Sequence, residues 1–205
     1  MLNFITMKYF SSIEVAAMFG CNESTIRRWT EKGILGCKKT PGGHRNFTMN
    51  DLREFISKSN SIGKNRILKA NGNELKSTLK LINELNFSKL ASLLAQKSII
   101  SDDYTIHSII NNLYIAGVEL NVIFDQVVET CNDIIEEWIK TKKISHTEEY
   151  IARKLITRTI DSLCESKPNG NYNIKNALCI NFEDNLPDIG IVMSEVILRH
   201  YNYNV

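Results

Sequence analysis

The chain has 205 residues, 43% of them hydrophobic and 23% charged, enough for one large or two small domains with buried cores. Its net charge of +2 is unevenly spread: residues 1–66 hold eleven Lys/Arg against five Asp/Glu, and residues 67–205 hold fourteen against eighteen, which suits a polyanion-binding head on a mildly acidic body. No apolar run is long enough for a membrane span, no signal-like N-terminus precedes Phe10, and Cys21, Cys37, Cys131, Cys164 and Cys179 include no C-x-x-C pair, so a membrane protein, a disulfide framework and a zinc site are all disfavoured. The expectation is a cytoplasmic protein whose cysteines are mostly buried small apolar side chains.

Taken in chain order, Ser11 or Ser12 caps a first helix whose apolar face is Ile13, Val15, Ala16 and Phe19. Gly20-Cys21-Asn22 turns the chain, and Asn22 or Ser24 caps a second helix that stops at Gly33. This helix presents Ile26 and Trp29 on one side and Thr25 and Arg28 on another. Lys38 and Lys39 then run into Thr-Pro-Gly-Gly-His-Arg-Asn-Phe (residues 40–47), a glycine turn with cationic flanks that reads as a β-ribbon wing. Thr48 caps a third helix with Asp51 at its third position and Leu52, Phe55 and Ile56 facing inward. Residues 57–73 are polar and rich in Ser, Asn and Gly, and read as a linker.

From 74 to 167 the pattern is helical, with breaks near Asn86, Ser101, Gly117 and Lys143, giving four or five helices and a small bundle. Pro168-Asn169-Gly170 ends it. Ala177 to Phe182 is an apolar run suited to a buried strand, Asp188 to His200 an amphipathic helix, and Tyr203-Asn204-Val205 the start of a second strand. The predicted fold is therefore mainly α: a winged helix-turn-helix at 1–56, a linker at 57–73, a bundle at 74–167, and the first β-α-β elements of a Rossmann-like domain at 176–205.

A helix carrying Arg27, Arg28 and Trp29, followed at once by a wing with Lys38, Lys39, His44 and Arg45, is one arrangement that grips DNA. An Arg-Arg pair alone is more often a solvated helix face. The wing changes that balance, because Gly42-Gly43 permit close approach and four basic side chains surround the tip. Residues 9–56 resemble the winged helix-turn-helix of the MerR family, and the T-P-G-G-H-R tract is similar to that of its cobalamin-linked members. The resemblance implies that the second helix enters the major groove, with Thr25, Arg27, Arg28 and Trp29 at the DNA and Lys38, Lys39, His44 and Arg45 on the wing. It also implies homo-oligomers on double-stranded operator DNA near promoters, working with RNA polymerase. A similar head occurs on certain transposon-linked recombinases.

Residues 117–160 are similar to the helical cap of cobalamin-binding proteins, and 177–205 to the opening of the domain that follows it. In that family a Trp is followed, after nine intervening residues, by Glu-His, and a later Asp-x-His-x-x-Gly supplies the lower cobalt ligand. Trp138 and Glu148 keep the spacing, and Gly190 fits the last glycine. The remaining positions depart from the pattern: Glu149 replaces the cap His, Asn185 the acidic residue and Pro187 the lower ligand. Ile139 stands where light-sensing members place an upper ligand. Cobalt needs a nitrogen lone pair that these residues lack, so Trp138, Glu148 and Glu149 read as vestigial, Trp138 as core and Glu148 as a helix-start carboxylate. No cofactor, no metal and no catalysis are expected. His146, more readily a solvated helix-start residue, is the first substitute ligand to consider.

Three functions follow in order. The first is a sequence-specific regulator that oligomerises and senses through its helical body. The second is a cobalamin-dependent, light-responsive regulator using non-standard ligands. The third, an enzyme, is remote: a methyl carrier has no use for a DNA-binding head, and a recombinase would need an Arg-rich catalytic part, where 67–205 holds only Arg153, Arg158 and Arg199.

Overall fold

The computed structural model describes residues 9–61, 73–163, 175–180, 188–201 and 203–205, and these are mainly helical. They fall into two compact units. Among the described residues, one comprises residues 9–87 with Asn111–Glu119, the other Ser88–Ile110 with Leu120–Val205.

The first unit opens with β1 (Phe10–Ser11) and α1 (Ser12–Phe19). Ser11 caps α1 in a reciprocal box: its hydroxyl accepts from the Glu14 amide at 3.3 Å while Glu14 accepts from the Ser11 amide at 2.7 Å. Gly20, at φ +57, ends the helix in the left-handed region that glycine enters without penalty. After the turn come α2 (Glu23–Glu31), β2 (Lys38–Lys39), β3 (Arg45–Phe47) and α3 (Met49–Ser61). Asn22 holds the cap position of α2 without a side-chain cap bond. Thr48 and Asp51 form a second capping box at the start of α3.

The strands make an antiparallel sheet in the order β1-β3-β2, with Phe10 opposite Phe47 and Lys39 opposite Arg45. β1 was not expected; two residues carry no legible period. Val15, Phe19, Ile26, Leu35, Phe47, Leu52 and Phe55 are buried beneath it. Ile13, assigned to the core face of α1, is instead 68% exposed, because the sheet and α2 take the opposite side of that helix. The third helix also runs five residues past Ile56, into the stretch read from the sequence as a linker; residues 62–72 lie outside the described ones.

α4 (Asn73–Asn83) and the end of α6 (Asp103–Ile115) belong to this same unit. Arg53 of α3 supplies the carbonyl end of α6 with donors: its guanidinium donates to Tyr114 O at 2.8 Å and Val118 O at 2.7 Å, and pairs with Glu119 at 2.9 Å. It lies 4.6 Å from the Tyr114 ring centre, and the Tyr114 hydroxyl donates to Asn50 at 2.6 Å.

The second unit contains α5 (Phe87–Ile99) apart from its first residue, residues 103–110 of α6, and α7 (Leu120–Ile123). A π-helical turn (Phe124–Val128) follows, then α8 (Glu129–Lys140), α9 (His146–Asp161), β4 (Lys175–Asn176), α10 (Ile189–His200) and β5 (Tyr203–Asn204). The helix breaks fall beside the anticipated positions, at Leu85, Ser101, Gly117 and Lys142, all with positive φ. Buried Phe124, Val127, Cys131, Ile135, Ile156, Ile160, Met193 and Val196 form its core. Arg199 of α10 bonds Asp161 of α9 at 2.8 Å and its own helix's Glu195 at 2.6 Å.

β4 and β5, one before and one after α10 in sequence, pair in parallel, and each is two residues long. The buried strand expected at 177–182 is not formed over its described part. Residues 177–180 have no assigned strand, and Leu178 is 82% exposed and Ile180 55%. Apolar composition fits a strand only if a sheet face covers it. The cysteines also differ from expectation. Of the four described, Cys131 alone is buried, and burial pushes its thiol up to about 12; Cys21, Cys37 and Cys179 are half-buried, and Cys164 lies outside the described residues.

Candidate nucleic-acid interface

Burial divides α2 sharply. Ile26 is fully buried and Trp29 half-buried, whereas Glu23, Ser24, Arg27, Arg28, Glu31 and Lys32 are exposed. At 100° per residue, Ser24, Arg27, Arg28 and Glu31 share the outward face. Trp29 is turned away from it: its ring centre lies 4.9 Å from Phe55 and 6.3 Å from Phe19, in an aromatic cluster that seats α2 on α1 and α3. Thr25 lies on the other flank, where it lines a shallow open hollow with Ala16, Ala17 and Gly20, whose small side chains leave the turn accessible.

The basic residues are not equivalent. Arg28 is exposed and has no hydrogen-bond or ion-pair partner among the described residues. Arg27 donates Nε to Glu31 at 2.8 Å across one helical turn. That guanidinium holds the Glu31 carboxyl below the usual carboxylate range, and the same bond raises Arg27. Arg45, on β3, has a side chain only 17% exposed. Its Nε donates to Thr30 Oγ1 at 2.8 Å and its Nη2 reaches Glu31 at 3.5 Å, while Thr30 Oγ1 donates to Arg27 O at 2.7 Å. Arg45 is thus a tie between the wing and the last turn of α2. Sequence reasoning missed the acceptors, Thr30 and Glu31. The Arg27–Glu31 spacing was legible as an i,i+4 pair; its sharing with the wing required the fold.

The wing tip is closed by its own backbone. Thr40 N donates to His44 O and Gly43 N to Thr40 O, both at 2.9 Å, and His44 N donates to Thr40 Oγ1 at 3.1 Å. Gly43 has φ +81, where any side chain would be strained. Lys38, Lys39 and His44 are exposed around this tip, with Lys38 Nζ 5.8 Å from the Tyr9 ring centre. Together the helix face and the wing present cations on two adjoining elements, an arrangement suited to phosphates and base edges.

The positions read from the sequence as cobalamin-cap ones lie in the other unit. Trp138 is half-buried rather than in the core, with Lys143 Nζ 4.3 Å from its ring centre. Glu148 accepts from the amide and hydroxyl of Ser145 at 2.7 Å, closing a capping box on α9, and those bonds hold its carboxyl below the usual range. Glu149 is 7% exposed and accepts from Arg153 Nε at 3.1 Å, with His146 Nδ1 3.2 Å away. Ile139 is half-buried. Gly190 is exposed in the first turn of α10, and Asn185 and Pro187 lie outside the described residues. No group of three or more His, Cys, Asp or Glu that could hold a metal ion occurs among the described residues, nor does a helix long and apolar enough to cross a membrane.

Residues 10–55 match the model of the MerR HTH family regulatory protein. The head is therefore a MerR-type helix-turn-helix domain, the DNA-binding domain of a family of transcriptional regulators. A comparison of the chain with curated proteins finds no match.

Proposed function

We propose that the protein is a sequence-specific transcriptional regulator that binds operator DNA as a homo-oligomer. In this reading α2 enters the major groove and the wing lies along the adjoining backbone. The observation that carries it is the division of labour among the arginines: Arg28 stands on the outward face of α2 with no partner among the described residues, and Arg45 ties the cationic wing to the same helix. Two heads per operator fit the small footprint of one head. The helical unit supplies the self-association, with Tyr104 of α6 and Tyr150 and Ile151 of α9 exposed. The protein does this without a corrinoid, because Ile139 and Glu149 offer cobalt no nitrogen donor.

The experiment is a titration of the full chain with a short random-sequence duplex pool, followed by selection of the sequences it retains. We expect a selected duplex to bind about 10³-fold or more tighter than the pool. Log affinity should fall linearly with log salt, by about 0.9 per phosphate neutralised, and sedimentation should show two or more chains per duplex. Salt-independent affinity, no enrichment, or one chain per duplex would overturn the corresponding part.

A further inference from the structure

We propose that Glu31 sets the specificity of this surface: its carboxylate occupies Arg27, which would otherwise seize any phosphate, and so leaves recognition to Arg28. The inference rests on the DNA-binding reading above and deepens it. Glu31 accepts from Arg27 Nε at 2.8 Å and lies 3.5 Å from Arg45 Nη2, at the corner where the outward face of α2 meets the wing.

Stability does not account for a carboxylate here. Glu31 is the last residue of α2, and an acidic group at a helix C-terminus opposes the macrodipole. The Arg27 side chain is 69% exposed and that of Glu31 49%, so their i,i+4 pair is solvated and contributes little to folding. Against a phosphate array the same carboxylate acts strongly. It repels the polyanion and withdraws the Arg27 guanidinium from sequence-blind contacts, which lowers affinity for all DNA. A contact to a base edge from Arg28 is untouched, so the ratio of specific to non-specific binding rises. Repulsion placed to exclude the wrong partner is a general route to specificity.

The test uses the full chain as wild type, Glu31→Gln and Glu31→Asp, titrated in a salt series against a random-sequence duplex pool and against the duplex that wild type selects from it. Glu31→Gln should bind the pool more tightly and steepen the salt slope by about one, equivalent to a roughly fourfold larger loss of affinity over a fourfold rise in salt. Its selected-to-pool ratio should fall. Glu31→Asp keeps the charge and should keep the wild-type slope. Thermal melting of both variants should match wild type. An unchanged slope and ratio in Glu31→Gln would overturn the proposal, as would equal weakening on both duplexes, the mark of a merely structural tie. A wild type that binds no duplex at all would instead remove the DNA-binding reading, and the inference with it.

Discussion

Arg27, Arg28 and Arg45 carry the same charge within one surface, yet their surroundings differ. Arg28 is solvated and unpaired, so its planar fork is available to a base edge. Arg45 is spent on Thr30 and Glu31, so on the proposed function its contribution to DNA affinity would pass through the position of the wing. The two substitutions should therefore separate. Arg28→Ala should cost roughly 1–3 kcal/mol on the selected duplex and abolish preference at one base pair. Arg45→Ala should weaken every duplex by a similar factor, and Arg45→Lys should not restore it, since an ammonium cannot span Thr30 and Glu31 with a fork. Titration of the selected duplex and its single base-pair variants distinguishes them. A loss confined to one position in Arg45→Ala, or a uniform loss in Arg28→Ala, would reverse the assignments. Trp29 marks where residue type misleads: an aromatic beside two arginines reads as part of the interface, but its ring belongs to the Phe19–Phe55 cluster.

At the scale of elements, helix ends were the most legible features, because they depend on local chemistry. The Thr48–Asp51 box and the turn at Gly20 follow from a few adjacent residues, and the breaks at Leu85, Ser101, Gly117 and Lys142 lie within one residue of those read from Asn86, Ser101, Gly117 and Lys143. Features set by tertiary partners were not legible. β1 exists only because β3 pairs with it, the π-turn at Phe124–Val128 only shifts the phase of an already apolar helix, and the apolar run after Ala177 stays exposed over its described part. The pairing of α8 with α9 belongs to this second kind. Arg153 of α9 donates to buried Glu149 at 3.1 Å and reaches Glu136 of α8 at 3.6 Å, while its side chain is only 12% exposed. Arg153→Ala should destabilise the chain by about 3–5 kcal/mol, because it strands a buried carboxylate. Adding Glu149→Gln should recover part of that loss, since the uncompensated charge is then gone. Denaturant unfolding of both variants measures this, and a cost below roughly 1 kcal/mol for Arg153→Ala would show that the pair is solvated.

For the whole molecule, the question is whether the part of the chain outside the helix-turn-helix handles a corrinoid, which the sequence reading of that part raised. The residues at the decisive positions are already committed elsewhere. Glu148 closes the cap of α9, Glu149 is bound by Arg153, and Lys143 lies against the Trp138 ring that a cap would need to offer a ligand. Ile139 has no lone pair, and Pro187, outside the described residues, has no side-chain donor. His146 is the one imidazole close to these positions, but its side chain is 87% exposed and its Nδ1 faces Glu149. A single solvated imidazole without an oriented second shell makes a poor cobalt ligand. The full chain incubated with adenosylcobalamin or methylcobalamin and desalted should therefore be colourless, and its oligomeric state and DNA affinity should not respond to light. Replacing Glu149 with His should not rescue binding, since it also removes the partner of Arg153. A corrinoid absorbance spectrum retained at one cofactor per chain after gel filtration would overturn this. Loss of that spectrum in His146→Ala would then identify the ligand.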